Sequence, residues 1–277
     1  MAPRHANSRY TARMMAAPPG DVNPFAAGSY ADATGHVLPY RLLTPERSEP
    51  GVRYPLVLVL HGAGERGTDN TAQLGNGIGA LLQSRRRAYP SVALVPQCAA
   101  DRRWVEVDWS AASHQLPSVP SAPLHAVLSL VEALLHPPPR DPASGLPPAP
   151  AIDPARLYLV GLSMGGYGVW DALSRQPQRF AAAVPICGGA AEAQAALLCA
   201  AKVPVWAFHG ALDPVVPVER SRKMIAALRR CGGPAPVQVQ VRYTEYADVG
   251  HDSWHRAFAE PELWPWLFGQ RNPHNPL

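Results

Sequence analysis

From about residue 36 onward, short apolar runs rich in β-branched residues alternate with segments of helical periodicity. That alternation limits the chain to an α/β architecture in which parallel strands are joined by helices. The predicted strands are 36–43, Tyr54 to Leu60, Ser91 to Gln97, Leu157 to Leu162, Phe180 to Ile186, Val203 to His209 and Val237 to Tyr246. Predicted helices fall between them at 77–88, 122–136, 165–175, 191–201 and 218–230. In the last of these, Met224, Ile225 and Leu228 share one face and the arginines take the other. The stretch HPPPRDPASGLPPAPAIDP, 136–154, suits neither helix nor central strand, because proline lacks a backbone donor and fixes φ. The alternation continues in step on both sides, so 137–152 reads as a surface loop of one domain spanning 25–277, preceded by a flexible segment 1–24. Between Ile186 and Val203 there is room for a short helix only, which leaves no place for a large cap domain.

A hydrophobic content of 47% with 17% charge is that of an ordered globular chain. The first 25 residues carry basic side chains but no apolar core of a signal peptide, and no stretch approaches membrane-spanning length. The expectation is a cytoplasmic protein with no membrane partner. A net charge of +4 raises the question of nucleic acid, but the arginines are scattered. Their one cluster, Arg85-Arg86-Arg87, closes a predicted helix where it complements the helix dipole, so no nucleic-acid partner is expected. Cys98, Cys187, Cys199 and Cys231 form no CxxC pair. They are expected to be reduced thiols, with no metal and no cofactor.

The chemistry concentrates at Gly161-Leu162-Ser163-Met164-Gly165, directly after the apolar run Leu157 to Val160 and before a predicted helix. A serine exposed at the tip of a strand-to-helix turn sits in strained backbone, and Gly161 and Gly165 remove β-carbons that would collide across the turn. Serine is a poor nucleophile at neutral pH, so it requires a histidine base oriented by a carboxylate. Asp213 follows the strand that ends at His209, and His251 lies in the loop after the next strand, so all three leave the C-terminal edge of the sheet, where open α/β sheets bind ligands. His255 is the second choice of base. His209 reads as a buried structural residue, and Asp248 and Asp252 flank His251 too closely to orient it, so they rank behind Asp213. The oxyanion that develops in the reaction needs two backbone N–H donors: that of Met164 at the start of the helix, and one from HGAGERGTDN after Leu60, with Ala63 first and Gly64 next. Glu65, Arg66 and Asp69 are expected to hold that loop by local ion pairs.

With these parts in order, the blocks LHGAGERGTDN, LVGLSMGGYGVWDAL, PVWAFHGALDPVVPVERS and YTEYADVGHDSW resemble the α/β-hydrolase superfamily over residues 36 to 268. Within it they resemble bacterial esterases related to feruloyl and acetylxylan esterases and polyhydroxybutyrate depolymerases. The resemblance implies a mostly parallel sheet of about eight strands flanked by helices, and a serine esterase acting through an acyl-enzyme. Relatives commonly carry an acidic residue after the glycine turn of the sixth strand, where this chain has Ala190-Ala191 after Cys187-Gly188-Gly189. Trp104, Trp109 and His114 in the segment after Gln97, with Trp254 beside His251, are candidate substrate contacts; the alternative reading is that the tryptophans anchor a long loop. The expected partner is a small-molecule ester of short-acyl or aromatic type, handled by a monomer or homodimer. A serine peptidase, a thioesterase or lactonase using the same three residues, and a non-catalytic scaffold stay open as alternatives.

Overall fold

In the computed structural model, which describes residues 24–137, 150–231, 240–272 and 274–275, the alternation resolves into strands and helices in turn. The strands are β1 (Phe25–Ala31), β2 (Val37–Leu43), β3 (Arg53–Leu60), β4 (Val92–Pro96), β5 (Ala151–Leu162), β6 (Ala182–Ile186), β7 (Val205–Gly210) and β8 (Val241–Tyr246). The helices are α1 (Ile78–Arg85), α2 (Ala122–Leu135), α3 (Met164–Arg175), α4 (Ala195–Ala201), α5 (Glu219–Cys231), α6 (Trp254–Ala259) and α7 (Leu263–Phe268). One sheet holds all eight strands in the order β1-β2-β4-β3-β5-β6-β7-β8. The β1–β2 and β2–β4 pairs are antiparallel, and every pair from β4 to β8 is parallel.

The period-2 geometry of the strands divides the core. Leu56, Leu58 and Leu60 of β3 and Leu157 and Leu159 of β5 join side chains of α2, α3, α4 and α5 on one face. Val57 and Val59, with Tyr158 and Val160, meet Ile78 of α1, Phe258 of α6 and Trp264 of α7 on the other. A central strand covered on both faces must be apolar throughout, and β3 is buried at every residue after Arg53.

Four elements depart from the sequence expectations. β1 was not anticipated: FAAGSYA is rich in glycine and alanine, poor strand formers, and is held as an edge strand by its antiparallel register with β2 from Phe25↔Leu43 to Ala31↔Val37. β5 begins at Ala151, inside the proline-rich stretch read as strandless. The ladder tolerates Pro154 because pairing skips from Tyr54↔Ile152 to Leu56↔Leu157, which leaves the proline in a bulge where no ladder donor is required. Asp153 closes that bulge, accepting from the Ala155 N–H at 3.0 Å and the Arg156 Nε–H at 2.6 Å. The helices α6 and α7 also lay outside the expectations. The segment 1–23 and residues 138–149 of the expected loop lie outside the described residues.

The cysteines differ as well. Cys199 in α4 and Cys231 at the end of α5 form a disulfide with Cα atoms 6.3 Å apart, while Cys98 and Cys187 are free and buried. The two bridged residues are 32 positions apart, and only the packing of α4 on α5 brings them together. Closing a loop of this length restricts the unfolded chain by about 3–4 kcal/mol. Urea unfolding with and without reductant, alongside Cys199→Ala, is expected to show a stability loss of that size; coincident transitions would refute the bridge.

Candidate active site

The strand-to-helix turn at Ser163 is built by sheet register. Leu60↔Gly161 and Leu162↔Ile186 set the ends of β3, β5 and β6 side by side, so the turn at Ser163 emerges between the loops that follow its neighbours. Ser163 adopts φ 53° and ψ −117°, a conformation that side-chain-bearing residues rarely take, and the Ser163 N–H donates to Ile186 O at 2.9 Å to hold it there. Helix α3 starts at the next residue and presses on β3: a β-carbon at Gly165 would lie 1.9 Å from Leu60 O, and one at Gly161 would lie 2.4 Å from Gly165 O.

The structure brings Ser163, His251 and Asp213 into one line. Ser163 Oγ is 2.8 Å from His251 Nε2, and His251 Nδ1 is 2.7 Å from Asp213 Oδ2. The carboxylate can only accept, so Nδ1 carries the proton and Nε2 is left to accept from the serine hydroxyl, the tautomer a general base needs. Asp213 Oδ1 accepts the N–H groups of Val215 and Val216 at 2.8 and 2.9 Å. Burial would raise this carboxyl, but the bonds from His209, His251, Val216 and Val215 outweigh it and hold the group ionised far below the usual carboxylate range. The other candidates stand apart: Asp248 is committed to a bidentate pair with Arg256 at 2.7 Å, and Asp252 and His255 are exposed.

Opposite the elbow, Ala63–Glu65 forms a single 3-10 turn after β3. Met164 and Ala63 are each the first residue of their helical segment, where the N–H has no intrahelical acceptor. The loop is held by hydrogen bonds where ion pairs were expected. Arg66 Nε donates to Ala63 O at 2.9 Å, Asp69 accepts from Thr71 N, Ala72 N and Gln97 Nε2, and Glu65 accepts from Asn76 Nδ2 at 2.7 Å. A carboxylate that meets backbone and amide donors first has no need of the arginine. Gly64 has open space at its β-carbon position.

His61 anchors this loop from below. Its Nε2 accepts from the Cys98 N–H at 2.9 Å, which puts the proton on Nδ1, 2.6 Å from Gly62 O. Burial and then the nearby Arg66 charge, against the Gly62 bond, bring its pKa from 6.5 down to about 4. The folded chain therefore binds fewer protons than the unfolded one between those values. The stability this confers is complete above pH 6.5 and falls away by about 3 kcal/mol as pH drops through 4. Chemical denaturation at several pH values is expected to show that slope in the wild type and a flattened one in His61→Gln; equal slopes would refute the assignment.

The segment between β4 and α2, which carries three of the candidate substrate contacts, is held by side chains of other elements. Tyr167 Oη donates to Trp109 O at 2.8 Å, and the buried Arg220 donates to Ala111 O at 3.3 Å, to Ala190 O at 3.0 Å and to His114 Nδ1. Trp104 has no exposed surface, and its Nε1–H donates to His61 O at 3.0 Å. It anchors the loop after β3, and its complete burial leaves no surface for a substrate. Trp109 is half-buried under the Arg103 guanidinium, 4.4 Å from its ring centre. His114 is half-buried, and burial followed by the Arg220 charge lowers its pKa to about 4. Trp254 stands edge-on to His251 at 5.7 Å. Arg220 and Tyr167 were not anticipated, since an arginine on a predicted amphipathic helix reads as solvent-facing.

Cys187, Asp213 and His251 each offer one metal-ligating atom, all within 4.8 Å of one another. Two of the three already share a proton, and burial pushes the Cys187 thiol up to about 12, so this donor set suits proton transfer better than metal ligation. Among the described residues, no helix is long and apolar enough to cross a membrane.

A model of the Dienelactone hydrolase family matches residues 146–262. No curated protein matches the chain. Among solved structures, a thermostable esterase superposes with a TM-score of 0.76 at 36% identity, over 90% of this chain and 64% of that one. The chain thus spans less than two thirds of that esterase's length. The feruloyl esterase module from Clostridium thermocellum, complexed with sinapinate, superposes with a TM-score of 0.58 at 14% identity over 95% of this chain and 96% of that one. The Pyrococcus horikoshii acylaminoacyl peptidase gives 0.60 at 14% over 90% and 42%. At 14% identity these two likenesses carry the fold alone. The fold is that of the α/β-hydrolases, and the chain resembles the esterases of that superfamily.

Proposed function

We propose that the chain is a serine hydrolase of carboxylic esters working through an acyl-enzyme on Ser163. The observation that carries this reading is the hydrogen-bonded line from Ser163 Oγ through His251 to Asp213, at 2.8 and 2.7 Å. As Ser163 Oγ attacks the ester carbonyl, His251 Nε2 takes its proton, and the imidazolium is stabilised by Asp213. The N–H groups of Met164 and Ala63, with Gly64 as the alternative second donor, receive the oxyanion. His251 then gives the proton to the leaving alcohol, and a water activated by the same nitrogen releases the acid.

The substrates are short-acyl or aromatic esters, of feruloyl, acetyl or polyester type, bounded by Trp109, His114 and Trp254. The half-buried Trp254 ring beside His251, and the likeness to an esterase at 36% identity, support this choice. All of the reacting groups belong to one chain, which fits a monomer or a homodimer. The Cys199–Cys231 bridge favours an oxidising compartment over the cytoplasm. A fluorophosphonate probe is expected to label Ser163, and p-nitrophenyl acetate to be hydrolysed in preference to peptide anilides. An unlabelled Ser163 would end the reading, and faster anilide cleavage would redirect it to a peptidase.

A further inference from the structure

Asp213 meets a second histidine. His209, in β7 and four residues before the carboxylate, has no exposed surface. Its Nε2 lies 3.2 Å from Asp213 Oδ2, the oxygen that also takes His251 Nδ1 at 2.7 Å. The same Nε2 is 3.0 Å from Val216 O, and a carbonyl can only accept, so Nε2 carries a proton shared between the carbonyl and the carboxylate. On the far side of the ring, Nδ1 meets Ser221 Oγ of α5 at 2.7 Å, which fixes the ring plane. With Oδ1 on two backbone N–H groups and Oδ2 on two imidazoles, the carboxylate has no freedom to turn.

We propose that His209 is a positioning residue of the esterase reading above, a fixed second donor that holds Asp213 Oδ2 on the His251 axis and withdraws part of its negative charge. A buried histidine satisfied by backbone and hydroxyl alone would have no need to reach the carboxylate. The direction follows from electrostatics: in a site of low dielectric, each donor on Asp213 weakens its pull on the imidazolium of His251. Other ionisable groups facing the pair are Cys187 after β6, Tyr167 of α3 and Glu245 of β8, which is itself paired with Arg222.

The test compares His209→Leu with His209→Gln in the full chain. Loss of the donor is expected to lower kcat about 10-fold with KM nearly unchanged, and to move the acid limb of the kcat/KM profile up by about half a pH unit. Glutamine, whose amide N–H can reach Oδ2, is expected to restore the limb and most of kcat. The low-field proton NMR signal of His251 Nδ1–H reads the same contact without turnover: it should shift in His209→Leu and return in His209→Gln. If His209→Leu does not fold, Ser221→Ala carries the test, because it frees the ring and should move limb and signal in the same direction by less. An unmoved limb and signal would overturn the role of His209 while leaving the esterase reading intact. A wild type inert to esters and to fluorophosphonate would overturn the esterase reading and with it the kinetic role, even if the NMR signal shifted.

Discussion

Gly165→Ala is expected to yield no soluble folded protein, or one destabilised by more than about 4 kcal/mol, the range reserved for backbone collisions and similar faults. The added β-carbon would sit 1.9 Å from Leu60 O, 2.5 Å from Leu60 C and 2.8 Å from His61 O. These are backbone atoms at the end of the central strand β3. Leu60 is paired with Gly161 of β5, and His61 O accepts the indole N–H of the buried Trp104. Neither side can give way, since α3 is buried along Met164 to Ser174 and has no direction in which to withdraw. Relieving the collision would drag the Ser163 turn and the loop after β3 apart together. Gly64→Ala is the control: it lies in the same region with nothing within 4 Å of its β-carbon position, and its stability is expected to change by less than about 0.5 kcal/mol. Soluble yield and thermal midpoints decide the matter. A Gly165→Ala protein melting within a few degrees of wild type would mean that the packing of α3 on β3 is not as described.

Ser163→Ala is expected to lower kcat for p-nitrophenyl acetate by about 10⁴-fold or more while the protein stays folded, because alanine fits the space of serine. His251→Ala should fall to a similar level, and the double variant should be no slower than the worse single one. That equality is the sharp part of the prediction. On the proposed mechanism Ser163 and His251, joined by one 2.8 Å hydrogen bond, act as a unit, so removing the second after the first has nothing left to disable. Multiplying losses would show that the two residues act independently and that another group accepts the serine proton. Asp213→Asn should be milder, at about 10³- to 10⁴-fold, since it perturbs the His251 tautomer without removing nucleophile or base.

Much of the candidate site's geometry was legible in the sequence because each part carries a local steric signature. The elbow announces itself by two glycines around a serine between an apolar run and a helix. Asp213 and His251 are read from their distance past strands that any α/β pattern would reveal. His209 was visible too, four residues ahead of Asp213 at a strand end, but its side chain could as well have turned to backbone, and the sequence has no means of telling a hydrogen bond to Val216 O from one shared with a carboxylate. Trp104 shows the converse. An aromatic residue in a loop at the catalytic edge is indistinguishable in sequence from a pocket wall, and only its complete burial and its bond to His61 O make it an anchor.

Edge strand β1 and the start of β5 escaped for a different reason. Their residues are poor strand formers, and both gain order from partners already in place, β2 for the first and β3 for the second. The Cys199–Cys231 pair depends likewise on how α4 meets α5.

By itself the sequence determined the alternation of strands and helices, the strained serine turn and the order of Ser163, Asp213 and His251 along it, because these depend on side-chain periodicity and steric volume within a few residues. The tertiary structure alone decided which face each polar group meets: the bulge that admits Pro154, the bridge between two helices, the arginine that holds the segment after β4, and the second imidazole on Asp213. Those outcomes turn on contacts between segments far apart in the chain. There direction and distance, to within an ångström, govern whether a hydrogen bond forms, and no local pattern records either.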